Sequence, residues 1–223
     1  METVEYSPGR LVDLFGDPER QIVLVWHGMQ TDARSSLRPL AERVAGHGLA
    51  VVVPDWDSGA DDKGRGDLLE SVYFAQQRGA RADGLVVVGW SMGGVAAAGL
   101  AVAARRLDIR LRHTVCLAGA FMAPDPISGR ELKTDVLADG PQCPFTLLHG
   151  VADDVVPISV SRAFATDLQE NGWSVEVVEL DADHASIAGA TYDQAAGRYS
   201  AADDSATLAV AVDVAARIAA AAG

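Results

Sequence analysis

Short, continuously apolar runs alternate along the chain with longer segments in which apolar residues recur at helical spacing. Five runs are rich in β-branched residues at successive positions, which is typical of strands covered on both faces: residues 22–26, 49–54, 85–88, 114–119 and 145–149. A sixth run, residues 174–180, is interrupted by Glu176 and Glu179. That alternation predicts a strand at an edge of the sheet.

Helical segments separate most of these runs. Leu37, Leu40 and Val44 recur at helical spacing within residues 31–48, and similar signals predict further helices: residues 67–79, 95–106, 158–172 and 203–222. Two short apolar stretches around Pro8-Gly9 differ from this pattern and predict an antiparallel hairpin at one edge. Alternating strands and helices predict βαβ units. The expected fold class is α/β, a three-layer α/β/α sandwich with a mostly parallel central sheet.

The length and composition of the chain predict one domain with a negatively charged surface. The chain has 223 residues, no linker and no internal repeat, so residues 1–223 are predicted to form a single domain. Its formal net charge is −13. Such a surface repels phosphate backbones and anionic lipids, so we expect no nucleic-acid partner. Monomer and homodimer both stay open.

Targeting and metal-binding signals are not found in the sequence. The stretch "METVEYSPGR" has neither the basic nor the apolar region of a signal peptide. Asp and Arg residues interrupt the Ala-rich tail, so no membrane insertion is expected and a cytoplasmic location is favoured. Cys116 and Cys143 lack zinc-ligand spacing. We therefore expect no metal and no cofactor.

The stretch "LVVVGWSMGG", residues 85–94, contains the pattern G-x-S-x-G at Gly89, Ser91 and Gly93. A strand is predicted before it and a small-residue helix after it, the context in which a serine hydroxyl is lifted above a sheet. The glycines are needed there because a β-carbon would clash where strand and helix converge. The alternative, Ser91 as a simple helix cap, does not explain the glycine pair. The pattern favours a nucleophilic serine.

A nucleophilic serine needs a base, and five histidines are available. His47 is expected in a turn, and His113 precedes a strand at the amino edge of the sheet. His27 and His149 end strands, and are either structural or line the site. His184 follows the last strand, in "DADHASIAG". Because active sites form at the carboxyl ends of parallel strands, His184 is the predicted base.

Two aspartates could orient that base. Asp153 and Asp154 follow the 145–149 strand, at the sheet edge where Ser91 is also expected. Spacing alone does not choose between them. With either one, the chain order is Ser, Asp, His.

Four segments resemble, in order, signature segments of the α/β-hydrolase superfamily: "IVLVWHGM", "VVVGWSMGG", "LLHGVADDVVP" and "DADHASI". The resemblance runs from Gln21 to the C-terminus and is to small carboxylesterase and dienelactone-hydrolase-like members. It implies the α/β-hydrolase fold and assigns the acid to Asp153. It further implies that the backbone N–H groups of Met29 and Met92 form the oxyanion hole. A serine at position 91 argues against the branches with a carboxylate nucleophile.

The segment between the 114–119 and 145–149 runs is too short for the helical cap that many relatives insert, so no cap domain is expected. Large apolar residues at or beyond strand ends are candidates for substrate binding: Trp26, Trp56, Trp90, Phe121 and Met122. The acidic loop "DWDSGADDKGRG" is most simply a solvated loop, although it could also repel anions, favour cations or bind a metal.

These patterns predict a serine hydrolase (Ser91, Asp153, His184) that cleaves carboxylic esters of small to medium, uncharged substrates through an acyl-enzyme on Ser91. Its partner would be a small-molecule ester. The alternatives are a thioesterase or lysophospholipase-like acyl hydrolase, an acyltransferase or perhydrolase using the same residues, and a noncatalytic ligand-binding protein on the same scaffold.

Overall fold

A computed structural model describes residues 1–79, 84–134 and 143–223 of the chain. Its centre is an eight-stranded sheet of order β1-β2-β4-β3-β5-β6-β7-β8. The strands are β1 Glu2–Ser7, β2 Arg10–Phe15, β3 Ile22–Trp26, β4 Ala50–Pro54, β5 Leu85–Trp90, β6 Leu111–Leu117, β7 Phe145–Gly150 and β8 Val175–Leu180. Strands β3 to β8 pair in parallel, whereas β1 and β2 form the antiparallel hairpin predicted at one edge. Strand β8, with its two glutamates, is the opposite edge, as predicted.

Five helices cover the sheet in the described residues: α1 Arg38–Gly46, α2 Arg65–Gln77, α3 Met92–Ala103, α4 Ile158–Glu170 and α5 Ser205–Ala222. Residues of α2, α3 and α4 belong to one hydrophobic cluster, and residues of α1 and α5 belong to another. Successive residues of β3 alternate between the two, since Leu24 lies in the first cluster and Val25 in the second. Two buried faces explain why the interior strands are mostly apolar at consecutive positions. The α/β/α architecture predicted from the sequence is confirmed.

A second, two-stranded sheet was not predicted. Strand β9, Ala190–Asp193, pairs antiparallel with β10, Arg198–Ala201. The sequence signal was present but short, since Tyr192 and Tyr199 flank a turn that contains Gly197 at φ 62°. This hairpin follows the His184 loop and therefore lies beside the predicted site.

Helix α5 is long and apolar enough, by length and composition, to cross a membrane, and is the one such helix in the described residues. The sequence-based expectation was that Asp and Arg residues interrupt this tail, but α5 itself contains two charged residues, Asp213 and Arg217, which form an ion pair of 3.2 Å. Val214, Ala215 and Ile218 are fully buried in the cluster shared with α1. In this fold the apolar face of α5 is thus core.

The segment between β6 and β7 is described only up to residue 134, and residues 135–142 lie outside the described part. Its described part forms turns and one isolated bridge, between Asp125 and Arg130. Within the described ranges no cap domain covers the carboxyl edge of the sheet, in agreement with the expectation from the sequence.

Candidate active site

Ser91 lies at an elbow in the chain, the sharp turn between β5 and α3, with φ 56° and ψ −116°. A positive φ is uncommon for a residue with a β-carbon and marks backbone strain. The flanking glycines allow the turn to close: a β-carbon on Gly89 would lie 1.9 Å from the Gly93 carbonyl oxygen, and one on Gly93 would lie 2.4 Å from that of His27. The steric reason proposed from the sequence is therefore correct.

Three side chains from different loops form a continuous hydrogen-bond chain. His184 Nε2 lies 3.1 Å from Ser91 Oγ, and His184 Nδ1 lies 2.8 Å from Asp153 Oδ2. A carboxylate oxygen only accepts, so Nδ1 carries the proton and Nε2 accepts from the serine hydroxyl. This arrangement can take a proton from Ser91 and stabilise the imidazolium that results.

Asp153 is held rigidly in its loop. Its side chain is completely buried, and Oδ1 accepts from the backbone N–H groups of Val155 at 2.9 Å and Val156 at 2.8 Å. Burial alone would raise the pKa of this carboxyl group. The hydrogen bonds from His149, His184 and Val156 outweigh burial and hold the pKa well below its usual range. Asp153 is therefore a carboxylate at neutral pH.

The two candidate aspartates separate clearly in the structure. Asp153 contacts His184, whereas Asp154 is exposed and lines the cleft above the serine. The choice that spacing left open is thus made by the loop, which turns one carboxylate inward and its neighbour outward.

The two predicted oxyanion donors lie on either side of Ser91. Met92 is the first residue of α3, where a helix leaves its N–H groups free. Met29 follows Gly28, whose added β-carbon would lie 3.3 Å from Ser91 Cβ. Neither N–H donates to another described residue. The Met29 carbonyl accepts from Ser58 Oγ at 2.7 Å, which orients this loop.

An open cleft of about 890 Å³ lies over Ser91 and His184. One wall is the unpredicted β9–β10 hairpin, which contributes Tyr192 and Tyr199. Gln30 connects the hairpin to the loop that contains Met29, since its amide donates to the Tyr199 carbonyl at 3.1 Å and accepts from the Tyr199 N–H at 2.7 Å. These three residues were missed, because only the tertiary fold brings them to the site.

One of the five predicted substrate-binding residues lines the cleft. Trp90 lines the cleft, and its Nε1 donates to the His184 carbonyl at 2.8 Å. Met29 also lines the cleft, while the side chain of Met92 is half-buried against the core. Strand-end position alone therefore identified some, but not all, of the lining residues.

Four of the predicted substrate-binding residues do not line the cleft. Trp26 and Trp56 are fully buried, because Trp26 faces α2 and donates to Ser71 while Trp56 Nε1 donates to the His27 carbonyl. Phe121 stacks on Phe164 of α4 at 4.0 Å. Met122 is 57% exposed and does not line the cleft.

His27 and His149 are both fully buried. His27 Nδ1 donates to the Gly28 carbonyl at 2.8 Å and Nε2 accepts from the Trp56 N–H at 3.2 Å, so the ring is structural. Burial lowers its pKa to about 4. His149 Nε2 donates to the Val156 carbonyl at 2.8 Å and also lies 3.4 Å from Asp153 Oδ2. Of the two residues, His149 supports the Asp153 loop.

The acidic loop after β4 uses its carboxylates within the protein. Asp55 is buried and bonds to Arg34, and Asp57 accepts from Thr31 and from the Gly59 N–H. Asp62 accepts from the backbone at the start of α2. In the described residues no group of three or more His, Cys, Asp or Glu side chains is arranged to hold a metal ion.

No protein-family model matches the chain, and no curated protein matches it. Among solved structures it is similar to esterase 2 of Thermogutta terrifontis. The form phosphoramylated by tabun is 17% identical, with TM-score 0.71, over 97% of this chain and 94% of that chain. The propionate-bound form is 19% identical, with TM-score 0.64, over 82% and 84%. The form phosphorylated by paraoxon is 18% identical, with TM-score 0.67, over 82% and 83%.

Sheet order, elbow and structural similarity together establish the fold as the α/β-hydrolase fold. At this level of identity the similarity concerns the fold. The chemistry depends on the residues of the site itself.

Proposed function

We propose that the protein is a serine hydrolase that cleaves carboxylic esters of small to medium size through an acyl-enzyme on Ser91. The observation that carries the proposal is the hydrogen-bond chain from Ser91 through His184 to Asp153, at the base of an open cleft. A binding protein has no need of this chain, or of a strained serine backbone.

In the first half-reaction, Ser91 Oγ attacks the ester carbonyl carbon while its proton passes to His184 Nε2. Asp153 keeps the imidazole in the required tautomer and stabilises its positive form. When the tetrahedral intermediate collapses, His184 returns the proton to the departing alcohol oxygen. The products are the free alcohol and an acyl group esterified to Ser91.

In the second half-reaction, water attacks the acyl-enzyme and His184 accepts its proton. Collapse of this intermediate returns the proton to Ser91 Oγ and releases the carboxylic acid. The open cleft admits the water that this step consumes, which favours hydrolysis over transfer to another acceptor.

Negative charge on the carbonyl oxygen develops in both half-reactions. The backbone N–H groups of Met29 and Met92 are the proposed donors to it. Each such donor contributes about 3 kcal/mol to the transition state in acyl-transfer enzymes. The adjacent N-terminus of α3 adds a positive dipole.

The similar structures support an esterase assignment. The Thermogutta terrifontis protein is named an esterase, and forms of it are described as bound to propionate and to butyrate. Other forms are described as phosphorylated by paraoxon and phosphonylated by sarin, reagents that transfer phosphorus groups to nucleophiles. Short-chain esters are therefore the first substrates to test here.

The cleft lining disfavours one alternative. The described residues that line it include Asp154 and Asp183 but no Lys or Arg. Phosphate-bearing substrates such as coenzyme A thioesters would be repelled there.

A fluorophosphonate probe tests the nucleophile directly. We expect wild-type protein to be labelled and to hydrolyse p-nitrophenyl acetate or butyrate faster than the octanoate. Ser91→Ala should lose both labelling and turnover, whereas Ser159→Ala, which alters an exposed serine on α4, should keep both. A wild-type protein that neither labels nor turns over any ester would refute the proposal and favour the binding scaffold.

A further inference from the structure

We infer that the cleft prefers esters whose alcohol carries a positively charged ammonium group. The inference rests on the proposed function and names the substrate class more narrowly. It also replaces the sequence-based expectation of uncharged substrates, because the charged residues that line the cleft are brought together only in the folded chain.

The first observation is the sign of the charges in the cleft. Asp154 and Asp183 line it, and both are exposed. The described lining contains no Lys or Arg, and neither carboxylate forms an ion pair with another described residue. A cationic ligand would therefore meet two negative charges with no competing protein cation.

The second observation is the aromatic wall that Tyr192 and Tyr199 form in the cleft. The rings of Tyr192 and Tyr199 lie 4.9 Å apart, and Tyr192 is 49% exposed. The rings of Tyr199 and Trp90 also form a T-shaped contact, with their centroids 4.9 Å apart. Aromatic faces attract ammonium groups through the ring quadrupole, and they bind the methyl groups of a quaternary ammonium as apolar surface. This wall adds a contact for a cation that does not depend on the carboxylates.

The negative field reaches the aromatic wall. The pKa of the Tyr199 phenol is raised, first by burial and then by Tyr192 and the carboxylates of Asp153, Asp154 and Asp183. A field that disfavours one more negative charge at Tyr199 favours a positive charge at the same place.

The position of these groups identifies which half of the ester is charged. His184 gives its proton to the departing alcohol, so the alcohol lies on the His184 side of the scissile bond. Asp183 immediately precedes His184 in the chain, and the Tyr199 ring lies 6.1 Å from the imidazole. The carboxylates and rings thus lie on the alcohol side of the scissile bond, and the two proposed oxyanion donors lie beside the carbonyl oxygen.

Two esters isolate the effect of charge. Acetylcholine and 3,3-dimethylbutyl acetate have the same acyl group and nearly the same shape, and differ by a quaternary nitrogen in place of a carbon. We expect wild-type kcat/KM to be about threefold to tenfold higher for acetylcholine, the range for exposed charges and an exposed aromatic contact. The ratio should fall between about 0.01 M and about 1 M ionic strength, because the Debye length shortens from about 30 Å to about 3 Å.

Variants assign the preference to the cleft. Asp154→Asn combined with Asp183→Asn should bring the ratio of the two kcat/KM values close to one. A loss of kcat/KM that is common to both esters cancels in this ratio. Asparagine at position 183 keeps an oxygen that accepts from the Ala185 and Ser186 N–H groups. Asp181→Asn is the matched control: this exposed carboxylate lies two residues from Asp183 but does not line the cleft, and its removal should preserve the ratio.

The outcomes separate this inference from the function on which it rests. Hydrolysis of the neutral ester with a ratio of one or less in wild type overturns the inference and leaves the esterase intact. A ratio above one that the double variant does not change also overturns it, since the preference would then arise elsewhere. Failure of both esters, together with no fluorophosphonate labelling of Ser91, refutes the hydrolase and the inference with it.

Discussion

His149 Nε2 lies 3.4 Å from Asp153 Oδ2, the same carboxylate oxygen that His184 Nδ1 contacts from the other side at 2.8 Å. The His149 ring is also tied to α4, through Ser161 Oγ at 2.7 Å, and to the Val156 carbonyl at 2.8 Å. Because Asp153 accepts from the Val156 N–H, the ring supports the loop that aims the carboxylate at His184.

Removing His149 should therefore slow the reaction without weakening substrate binding. We expect His149→Phe to lower kcat about tenfold, equivalent to about 1.4 kcal/mol, with KM little changed. His149→Gln keeps an N–H donor and should recover most of the loss. Steady-state kinetics on p-nitrophenyl butyrate measure both. His113→Gln, which alters a histidine in β6 bonded to Thr146, is the control; equal losses in His149→Gln and His149→Phe would argue against a positioning role.

Replacing the acid should be far more damaging. Asp153→Asn is expected to lower kcat about 10⁴-fold, because an amide N–H facing His184 favours the wrong tautomer. Asp154→Asn, which changes the outward carboxylate, should lower kcat on a neutral ester by less than about tenfold. The comparison uses p-nitrophenyl acetate with both variants confirmed folded by circular dichroism. Similar losses in the two variants would contradict the assignment of Asp153.

The buried His27 should make stability depend on pH. Its pKa is lowered from 6.5 to about 4 in the folded protein, so the unfolded chain binds more protons between these values and stability rises with pH there. Acidification from pH 7 to pH 4 should cost about 3 kcal/mol of unfolding free energy through this residue. Urea unfolding at several pH values measures it.

A neutral side chain at position 27 provides the comparison. His27→Gln keeps an acceptor for the Trp56 N–H and does not titrate, so its stability should change less between pH 7 and pH 4. His47→Gln, which alters an exposed turn residue, should retain the wild-type dependence. An unchanged pH dependence in His27→Gln would show that other groups cause it.

Closure of the elbow depends on the missing β-carbons. Gly89→Ala would place a carbon 1.9 Å from the Gly93 carbonyl oxygen, so the turn must shift and labelling of Ser91 should be lost. Gly46→Ala, in α1, has nothing within 4 Å and should stabilise the protein by up to about 1 kcal/mol. Thermal unfolding and fluorophosphonate labelling measure the two effects. Labelling of Gly89→Ala at the wild-type rate would contradict the elbow geometry.

Gln30 should stabilise the β9–β10 hairpin against local opening. Gln30→Ala removes both hydrogen bonds to the Tyr199 backbone, and each is expected to contribute about 1 kcal/mol. Hydrogen exchange of the Tyr199 amide should therefore be faster. Gln194→Ala changes a glutamine in the turn of the same hairpin and is the matched control. Unchanged exchange at Tyr199 in Gln30→Ala would mean that the hairpin is held by other contacts.

Local patterns in the sequence were sufficient for the architecture and for the elbow. Runs that are mostly apolar at consecutive positions are typical of strands buried on both faces, which explains why β3 to β7 were found together with the parallel sheet. Steric exclusion at Gly89 and Gly93 is equally local, because strand, serine and helix are contiguous. Chain order placed His184 and an aspartate after later strands, at the edge where Ser91 lies.

Which side chains meet at that edge was decided by tertiary structure. Asp153 and Asp154 are chemically identical, and only the hydrogen bonds from Val155 and Val156 turn the first inward. Whether a strand-end aromatic lines the cleft depends on the helix packed against it, which separates Trp90 from Trp26. Tyr199 lies 169 residues beyond Gln30, and pairing over that distance leaves no local pattern. The sequence alone predicted the strands of the central sheet, the helices and the turn at Ser91, because these depend on residues close together in the chain. The cleft depended on the tertiary structure, because its walls come from loops that are far apart in the sequence.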